Sequence, residues 1–216
     1  MKSVLVIGMS NFGQLLAKEM KNLGNDVMIV DTDEEIINEL ADEYTDSAIG
    51  NCTKQDVLES LGVNNFDICF VTIDNDFQTS LEITYSLHEM GAKMVISKAE
   101  RDIEAKFLLK NGANQIVYPE KDMAHKLAIR CNSERIFDLI ELANGYDIVE
   151  IAVPSKWYGQ TIKDLDIRRK FETNILAIKS GGQLNPVPSP DYVFKQDDHI
   201  VVLGKYDEVM RINSIR

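Results

Sequence analysis

The sequence is poor in cysteine and has no long hydrophobic run. Its three cysteines, Cys52, Cys69 and Cys131, are an odd number and form no C-x-x-C pair. A disulfide framework and a structural zinc site are therefore not expected, and we interpret all three as ordinary buried or half-buried thiols. The longest apolar runs, such as Val4–Ile7 and Ile68–Phe70, have the length of strands and fall well short of the roughly 20 residues that span a bilayer.

Positive charge is also scarce. The 216 residues carry 23 Lys plus Arg against 35 Asp plus Glu, for a formal net charge of −12. Such a chain repels the phosphates of nucleic acids and anionic lipid headgroups, so we expect neither a nucleic-acid partner nor insertion into a membrane. The apolar stretch near the amino terminus is too short for a signal peptide, and we expect a cytoplasmic protein. Small nucleotides, cations and basic proteins are the partners that this charge favours.

The first 120 residues alternate between two hydrophobic patterns. Short Val/Ile/Leu runs predict buried strands, and they lie at Ser3–Ile7, Val27–Val30, Ser47–Ile49, Ile68–Ile73, Met94–Ile96 and Gln115–Val117. Apolar residues at helical spacing predict helices between them, at Asn11–Leu23, Asp33–Tyr44, Thr53–Leu61 (with Thr53 as N-cap), Asp76–Glu89 and Asp102–Lys110. This order predicts an α/β fold, a Rossmann-like, doubly wound parallel sheet with helices on both faces.

The pattern changes after Pro119. Lys121–Leu142 has helical spacing with a polar interruption near Asn132–Arg135, which predicts a bent helix or two helices. From Gly145 onward short strands and all but one of the five prolines follow. We therefore expect three parts: a nucleotide-binding domain at 1–119, a helical crossover and dimerisation arm at 120–143, and a smaller α+β domain at 144–216. A domain of that size is expected to self-associate.

A phosphate-binding turn is predicted between the first strand and the first helix. Gly8–Gly13 reads G-x-S-x-x-G, a dinucleotide fingerprint in which Ser10 replaces the middle glycine. Gly8 can make the tight turn, Gly13 allows close packing of helix on strand, and the free N–H groups at the helix start attract an anion. The position between a strand and a helix is the context that supports this interpretation.

An acidic residue ends the second predicted strand. Asp31 lies 18 residues after Gly13, where a carboxylate can accept hydrogen bonds from both ribose hydroxyls of an adenosine and repel the 2′-phosphate of NADP. Asp31 or Asp33 could instead cap the following helix, and both roles can be filled by two acids.

Polar residues at other strand ends complete the predicted crevice. Asn51 could reach the adenine edge, or it and Thr53 could simply form a turn and an N-cap. Thr72 lies near the end of the fourth predicted strand. Lys98 follows the fifth and could approach a phosphate.

Four segments resemble a known family. They are Val6–Gly13, Ile29–Asp31, Gly50–Thr53 and Tyr118–Glu120. They are similar to segments of the KtrA/TrkA regulatory subunits of potassium transporters, which have an RCK (KTN) nucleotide-binding domain followed by a small TrkA-C domain. The resemblance covers nearly the whole chain, in the same order and at the same length.

The resemblance implies a regulatory subunit without enzymatic activity. Such subunits form dimers that assemble into an octameric ring, which docks on the inner face of the membrane against a potassium-translocating subunit of the KtrB or TrkH type. ATP, ADP or NAD(H) in the crevice changes the shape of the ring and gates K⁺ flow. The nucleotide-binding residues that the resemblance implies are Gly8, Ser10, Asn11, Phe12, Gly13, Asp31, Asp33, Asn51, Cys52 and Lys98.

The resemblance also implies a cation and a second ligand. Glu120 matches a carboxylate that in some members helps to hold a cation, Mg²⁺, Ca²⁺ or Na⁺, near the nucleotide phosphates. In the tail domain, Arg168 and Asn174 match positions where some members bind cyclic di-AMP. The sequence differs from the family pattern at Asn11, where KtrA-type sequences often carry an arginine that contacts the terminal phosphate of ATP. Without that arginine the case for ATP as the specific ligand is weaker, and ADP, AMP and NAD(H) remain candidate ligands.

Two other functions compete with this one. An NAD-dependent oxidoreductase needs an acid/base group beside the nicotinamide. The last part of the chain has one histidine, His199, which we expect to be buried without an acidic partner. A redox-sensing transcription regulator would need a basic recognition helix, which this acidic chain lacks. His88 and His125 have no second ligand at i+4 and are interpreted as surface or interface residues.

Overall fold

The computed structural model describes residues 1–132 and 135–215. The chain divides into two compact units, Met1–Lys121 and Asp122–Arg216. Among the described residues no helix combines the length and apolar character needed to cross a lipid bilayer.

The first unit is built on six parallel strands. They are β1 (Ser3–Ile7), β2 (Asp26–Asp31), β3 (Asp46–Ile49), β4 (Ile68–Val71), β5 (Val95–Lys98) and β6 (Gln115–Val117). Their order in the sheet is β3-β2-β1-β4-β5-β6. The direction of winding therefore reverses between β1 and β4, the point at which doubly wound sheets bind ligands. The predicted fold class is confirmed.

Helices connect these strands. They are α1 (Asn11–Asn22), α2 (Glu34–Leu40), α3 (Gln55–Leu61), α4 (Phe77–Glu89) and α5 (Asp102–Lys110), with α6 (Pro119–Asn132) after the last strand. Residues Val4 to Ile7 of β1 are almost fully buried. Leu5 and Ile7 pack into one hydrophobic cluster, while Val4 and Val6 pack into another. Alternate side chains of the central strand thus enter separate cores on the two faces of the sheet, as the continuous apolar runs predict.

The predicted N-cap at Thr53 is wrong. Helix α3 begins two residues later, at Gln55, and Lys54 occupies the N-cap position. The hydroxyl of Thr53 instead lies 2.8 Å from Oδ1 of Asn51, which also accepts the Thr53 N–H. Asn51 therefore draws Thr53 into a turn of its own, which leaves that hydroxyl unavailable to the helix.

The second unit contains an antiparallel sheet. Its strands are β7 (Ile136–Glu141), β8 (Tyr146–Ala152), β9 (Asn174–Ser180), β10 (Gln183–Asn185) and β11 (His199–Lys205), in the order β10-β9-β11-β8-β7. The helices α7 (Ile162–Leu165), α8 (Ile167–Phe171) and α9 (Tyr206–Asn213) accompany it, together with the part of α6 that follows Lys121. A hydrophobic cluster of buried residues in this unit includes Val149, Ile151, Trp157 and Ile200.

The prediction of a helix throughout Lys121–Leu142 is wrong in its second half. Helix α6 ends at Asn132, and Ile136–Glu141 is strand β7. The predicted bend near Asn132–Arg135 falls partly on residues 133 and 134, which lie outside the described residues. The pairing of β7 with β8 shifts its register between Ile136 and Asp138, so that Ile136 and Leu139 are both buried. This bulge gives a strand the i, i+3 spacing of a helix.

One cysteine differs from its prediction. Cys52 and Cys69 are buried, but Cys131, near the end of α6, is exposed. None of the residues of α6 is buried, and Met123 and Leu127 on it are 64% and 46% exposed. The role of this segment as a dimerisation arm stays a prediction.

Candidate nucleotide-binding site

A cleft of about 500 Å³ opens at the carboxyl ends of β1, β2 and β4. Clefts of this volume suit a small-molecule ligand. It lies at the reversal of the sheet, where a doubly wound fold leaves room between neighbouring helices. The predicted site residues that line it are Gly8, Ser10, Asp31, Asp33, Asn51, Cys52 and Thr72.

The turn after β1 requires both of its glycines. Gly8 has φ of +96°, in the left-handed region, and an added Cβ would lie 2.7 Å from Cδ1 of Ile73. At Gly13 an added Cβ would lie 2.2 Å from the carbonyl oxygen of Gly8. At Gly8 the positive φ disfavours any side chain, and at Gly13 a side chain would collide with the backbone of the turn. The predicted roles of the two glycines, in the turn and in close packing, therefore agree with the geometry.

Thr72 fastens this turn to the sheet. It is completely buried, and its hydroxyl lies 2.6 Å from the carbonyl oxygen of Gly8 and 3.1 Å from that of Ile7. Its own N–H donates to the carbonyl of Ile7 at 2.9 Å. The strand next to β1 in the sheet thus holds the phosphate-binding turn directly.

The start of α1 keeps hydrogen-bond donors available. Ser10 is the N-cap, and its hydroxyl oxygen accepts the N–H of Gly13 at 3.2 Å. Its O–H proton remains able to donate to a phosphate oxygen. The first turn contains no acidic residue, so the partial positive charge of the helix start is not offset there. Asn11 and Phe12 are its first two residues; Asn11 is exposed and Phe12 half-buried.

Asp31 connects the second strand to the same turn. Its Oδ2 accepts the N–H of Met9 at 2.5 Å, and its Oδ1 accepts the N–H of Asp33 at 3.0 Å. Each carboxylate oxygen can accept two hydrogen bonds. Oδ1 also accepts a long hydrogen bond from the Thr32 hydroxyl at 3.4 Å. Asp31 therefore keeps a free lone pair on Oδ2, and a ribose hydroxyl that binds Oδ1 would replace the long contact with Thr32. The backbone contacts fix the carboxylate at the edge of the cleft.

Asp33, Asn51 and Cys52 lie on the same side of the cleft. Asp33 is the N-cap of α2 and accepts the N–H groups of Glu35 and Ile36, so the expected capping role is confirmed. Asn51 forms the turn with Thr53 and is exposed. Burial, followed by the charge of Asp31, raises the pKa of Cys52 to about 12, so its side chain contacts the cleft as a neutral thiol.

Lys98 lies apart from this cleft. Its ammonium donates to Asp74 at 2.5 Å and to Glu120 at 2.7 Å, and its side chain is 3% exposed. Burial lowers the pKa of Lys98, but the hydrogen bonds to the two carboxylates outweigh it and raise the pKa above its ordinary value. The bond from Lys98 lowers the pKa of Glu120. Lys98 thus acts first as a bridge between the end of β4 and the start of α6.

The residues around Glu120 do not form a metal site by themselves. Within 1–132 and 135–215 no three His, Cys, Asp or Glu side chains are placed to hold a metal ion together. The cation that contacts Glu120 is the ammonium of Lys98.

The residues expected to bind cyclic di-AMP belong to the second unit. Arg168 is exposed on the short helix α8, and Asn174 is the exposed first residue of β9. The N–H of Lys163 donates to the carbonyl of Pro190 at 2.9 Å, which brings those two parts of the predicted stretch together.

His199 does have an acidic partner, contrary to expectation. It is half-buried, and its Nδ1 lies 2.8 Å from Oε1 of Glu150, which also accepts from Lys179 at 3.1 Å. The partners come from three adjacent strands, β8, β9 and β11, and their pairing is not visible in the local sequence.

Sequence reasoning missed two contacts that shape the turn. Met9 lines the cleft and donates its N–H to Asp31. The side chain of Gln14 donates to the carbonyl of Met9 at 2.8 Å. The sequence indicates these contacts only through the polar side chain of Gln14, directly after the last fingerprint glycine. A polar side chain at that position has many other possible roles.

Comparison with known domains defines the class of the protein. The family model of the TrkA-N domain matches residues 4–119, and that of the TrkA-C domain matches residues 148–215. The chain is thus a Rossmann-like TrkA-N domain followed by a TrkA-C domain.

Proteins that are similar over nearly the whole chain identify the family within this class. The chain is 38% identical over 213 residues to Ktr system potassium uptake protein C of Bacillus subtilis (strain 168), covering 99% of this chain and 96% of that protein. It is 34% identical, with the same coverage, to Ktr system potassium uptake protein A of that organism. The chain belongs to the family of Ktr system potassium uptake proteins, as the resemblance in the sequence indicated.

Solved structures share the fold. The GsuK channel bound to NAD superimposes with a TM-score of 0.71 and 17% identity, covering 99% of this chain and 39% of that one. GsuK bound to ADP gives a TM-score of 0.56 and 16% identity over 62% of this chain and 35% of that one. The chain thus spans less than half the length of these channels, and the likeness supports the fold.

Proposed function

We propose that this chain is the regulatory subunit of a potassium uptake system and that an adenine nucleotide in the cleft controls K⁺ flow. It acts by binding and not by catalysis. Its full-length relatives are potassium uptake proteins of Ktr systems, and this supports the physiological role. The chemistry of the cleft supports the ligand.

One observation carries the ligand assignment. The carboxylate of Asp31, held by the N–H of Met9, faces the same cleft as the glycine turn and the uncharged start of α1. A ribose acceptor and an anion-binding helix start on neighbouring strands match the two ends of a nucleoside phosphate. The same carboxylate repels a 2′-phosphate, which favours ADP, ATP or NAD(H) over NADP.

The charge at the turn bears on which nucleotide binds. Asn11 supplies no positive charge to the terminal phosphate of ATP. The site therefore lacks one source of higher affinity for ATP than for ADP or NAD(H). GsuK, which has the same fold, has been solved with NAD and with ADP. We infer that a diphosphate is sufficient for binding here.

A cation at Glu120, Mg²⁺, Ca²⁺ or Na⁺, is a further part of the proposal. Glu120 is 65% exposed and is bonded to Lys98. A cation would therefore need additional ligands from the nucleotide phosphates or from a second subunit, and it would compete with the Lys98 ammonium. It would supply the positive charge that the turn lacks.

We further propose the assembly expected of such a regulator. Dimers of this chain form an octameric ring in the cytoplasm, and the ring docks on a membrane subunit of the KtrB or TrkH type. A nucleotide gates this ring only through the difference in its affinity for two ring shapes. In the second unit, Arg168 and Asn174 are proposed to contact cyclic di-AMP.

Replacement of Asp31 tests the site. Asp31→Asn replaces the charged carboxylate that would accept hydrogen bonds from two ribose hydroxyls. Hydrogen bonds to a charged group contribute about 1.5–3 kcal/mol each. The affinity for ADP, measured by titration calorimetry on the full chain, should fall at least tenfold. The matched control is Asp26→Asn, the same change at the opposite end of β2, which should leave the affinity unchanged.

The regulatory role needs a separate measurement. The chain is expressed with a membrane K⁺-translocating subunit in bacteria that lack other K⁺ uptake, and growth at low K⁺ is recorded. Asp31→Asn should reduce growth relative to Asp26→Asn. Equal ADP affinity in the two variants would contradict the site, and equal growth despite lost ADP binding would contradict nucleotide control.

A further inference from the structure

A pocket of about 400 Å³ in the second unit takes no part in the proposed nucleotide site. It opens where α6, the hairpin of β7 and β8, and the first residue of α9 come together, and all of its lining residues belong to that unit. Ile129, Leu139 and Leu142 line it with apolar surface, and Tyr206 adds an aromatic side chain. A pocket of this size can hold a small organic ligand.

A buried carboxylate also lines this pocket. Asp147, on β8, is 8% exposed. Within the described part of the chain it makes no ion pair and receives no hydrogen bond from a side chain. Burial, followed by the charge of Glu141, raises the pKa of Asp147, whereas the N–H of Leu142 and the charge of His125 lower it by less. A buried carboxylate without its own cation destabilises a fold, so its presence requires an explanation.

The pairing of the strands leaves this carboxylate without a cation. Asp147 lies opposite Glu141 on β7 and opposite Gly204 on β11. Two acids that lie directly opposite each other repel, and glycine provides no side chain. Nε2 of His125, on α6, lies 2.8 Å from Oε1 of Glu141. The imidazole, when protonated, can therefore neutralise only one of the two acids.

We propose that this pocket binds a small organic ammonium ion, with the ammonium beside Asp147 and Glu141 and the carbon chain along the apolar wall. An ammonium group has three donors, enough to serve both carboxylates, and hydrogen bonds between ions are stronger than neutral ones. The bound cation also removes the repulsion between the two acids.

Two features favour an alkylammonium over an inorganic cation. The side chains of His125, Glu141 and Asp147 do not form a set of metal ligands. The hydrocarbon wall stabilises a carbon chain by removing it from water and gives nothing comparable to a bare ion. The side chains of Glu141 and His125 are more than half exposed, so a ligand can enter past them and reach Asp147.

The test uses radiolabelled butylammonium in equilibrium dialysis with the full chain. One molecule should bind per chain, and 1-butanol should not compete, because it has the carbon chain without the charge. Asp147→Asn keeps the size of the side chain and removes its charge, so the affinity should fall at least tenfold. The matched control is Asp138→Asn, the same change on β7 at a residue that does not line this pocket. Its affinity should equal that of the unmodified chain.

Thermal unfolding separates a ligand site from a structural role of Asp147. The single tryptophan, Trp157, lies in the second unit and reports its unfolding by fluorescence. Without ligand, Asp147→Asn should melt no lower than the unmodified chain, because it removes a buried charge that has no cation. Saturating butylammonium should raise the midpoint of the unmodified chain and leave that of Asp147→Asn unchanged.

Four results would overturn the proposal. Absence of saturable binding, or an affinity that Asp147→Asn leaves unchanged, would exclude the site. Displacement of butylammonium by K⁺ at equal concentration would indicate an inorganic cation instead. A lysine of a second copy carries the same ammonium chemistry, and if it fills the pocket, the apparent affinity for butylammonium falls as the chain concentration rises. A lower melting midpoint of Asp147→Asn without ligand would assign Asp147 a structural role.

Discussion

Thr72→Val should loosen the phosphate-binding turn, although Thr72 belongs to a different segment, directly after β4. The hydroxyl is the donor to the Gly8 carbonyl at 2.6 Å, in a completely buried position. Valine leaves that carbonyl without this donor, at a cost of about 1–3 kcal/mol. It also places a methyl group where the short contact stood, which forces the turn outward. The Ile7 carbonyl keeps the Thr72 N–H, so we expect a loss of about 2 kcal/mol.

Two measurements follow this change. Thermal unfolding observed by circular dichroism should show a midpoint about 6–10 °C lower, given the size of the first unit. Fluorescence would not report it, because the single tryptophan, Trp157, lies in the second unit. Calorimetry should show ADP binding weakened about tenfold, since the displaced turn carries the helix start that meets the phosphates.

Thr84→Val is the matched control. Its hydroxyl pairs with that of Ser97 at 2.8 Å in an equally buried position, so it should also destabilise the unit but leave ADP affinity unchanged. Thr72→Ser keeps the hydroxyl and should restore most of the binding. A Thr72→Val protein with unchanged melting and unchanged ADP affinity would refute the role of this contact.

Other predictions address the rest of the chain. Lys98→Met should lower the free energy of unfolding of the first unit, measured in urea, by about 2 kcal/mol, because Asp74 and Glu120 lose the cation that they share. The exposure of Glu120 keeps this loss below that of a fully buried ion pair. A loss below about 0.5 kcal/mol would contradict the stabilising role of Lys98. A thiol reagent at pH 7.5 should modify one cysteine per native chain, Cys131, and all three after unfolding, because Cys52 and Cys69 are buried and burial raises the pKa of each to about 12. Label mapped to Cys52 or Cys69 in the native chain would contradict this prediction. Burial raises the pKa of Glu150, but the hydrogen bonds from His199 and Lys179 outweigh it and lower the pKa below the ordinary 4.5. This carboxylate therefore stabilises the second unit above that pH and loses its contribution as pH falls through the lowered value; Glu150→Gln should flatten the acid limb of stability followed by Trp157 fluorescence, and an unchanged limb would contradict the pairing.

Local pattern was sufficient for most of the first unit. The buried strands and the intervening helices have distinct periods, and Gly8, Gly13 and Asp31 lie at fixed positions relative to them. The pairing of Lys98 with Asp74 and Glu120 joins residues 22 and 24 positions apart, and no local pattern specifies it. The bulge in strand β7 imitates helical spacing, so the local pattern predicts a helix where the structure has a strand. These failures share a cause, since each depends on contacts between distant segments.

Hydrogen exchange with and without ADP tests the central claim most directly. If the cleft at the ends of β1, β2 and β4 binds the nucleotide, ADP should slow amide exchange in peptides that cover Gly8–Gly13, Asp31–Asp33 and Gly50–Cys52, because binding stabilises the folded state locally. Peptides of the antiparallel sheet, from Tyr146 to Lys205, should exchange at the same rate in both conditions. Protection confined to that sheet, or no protection at saturating ADP, would contradict the account.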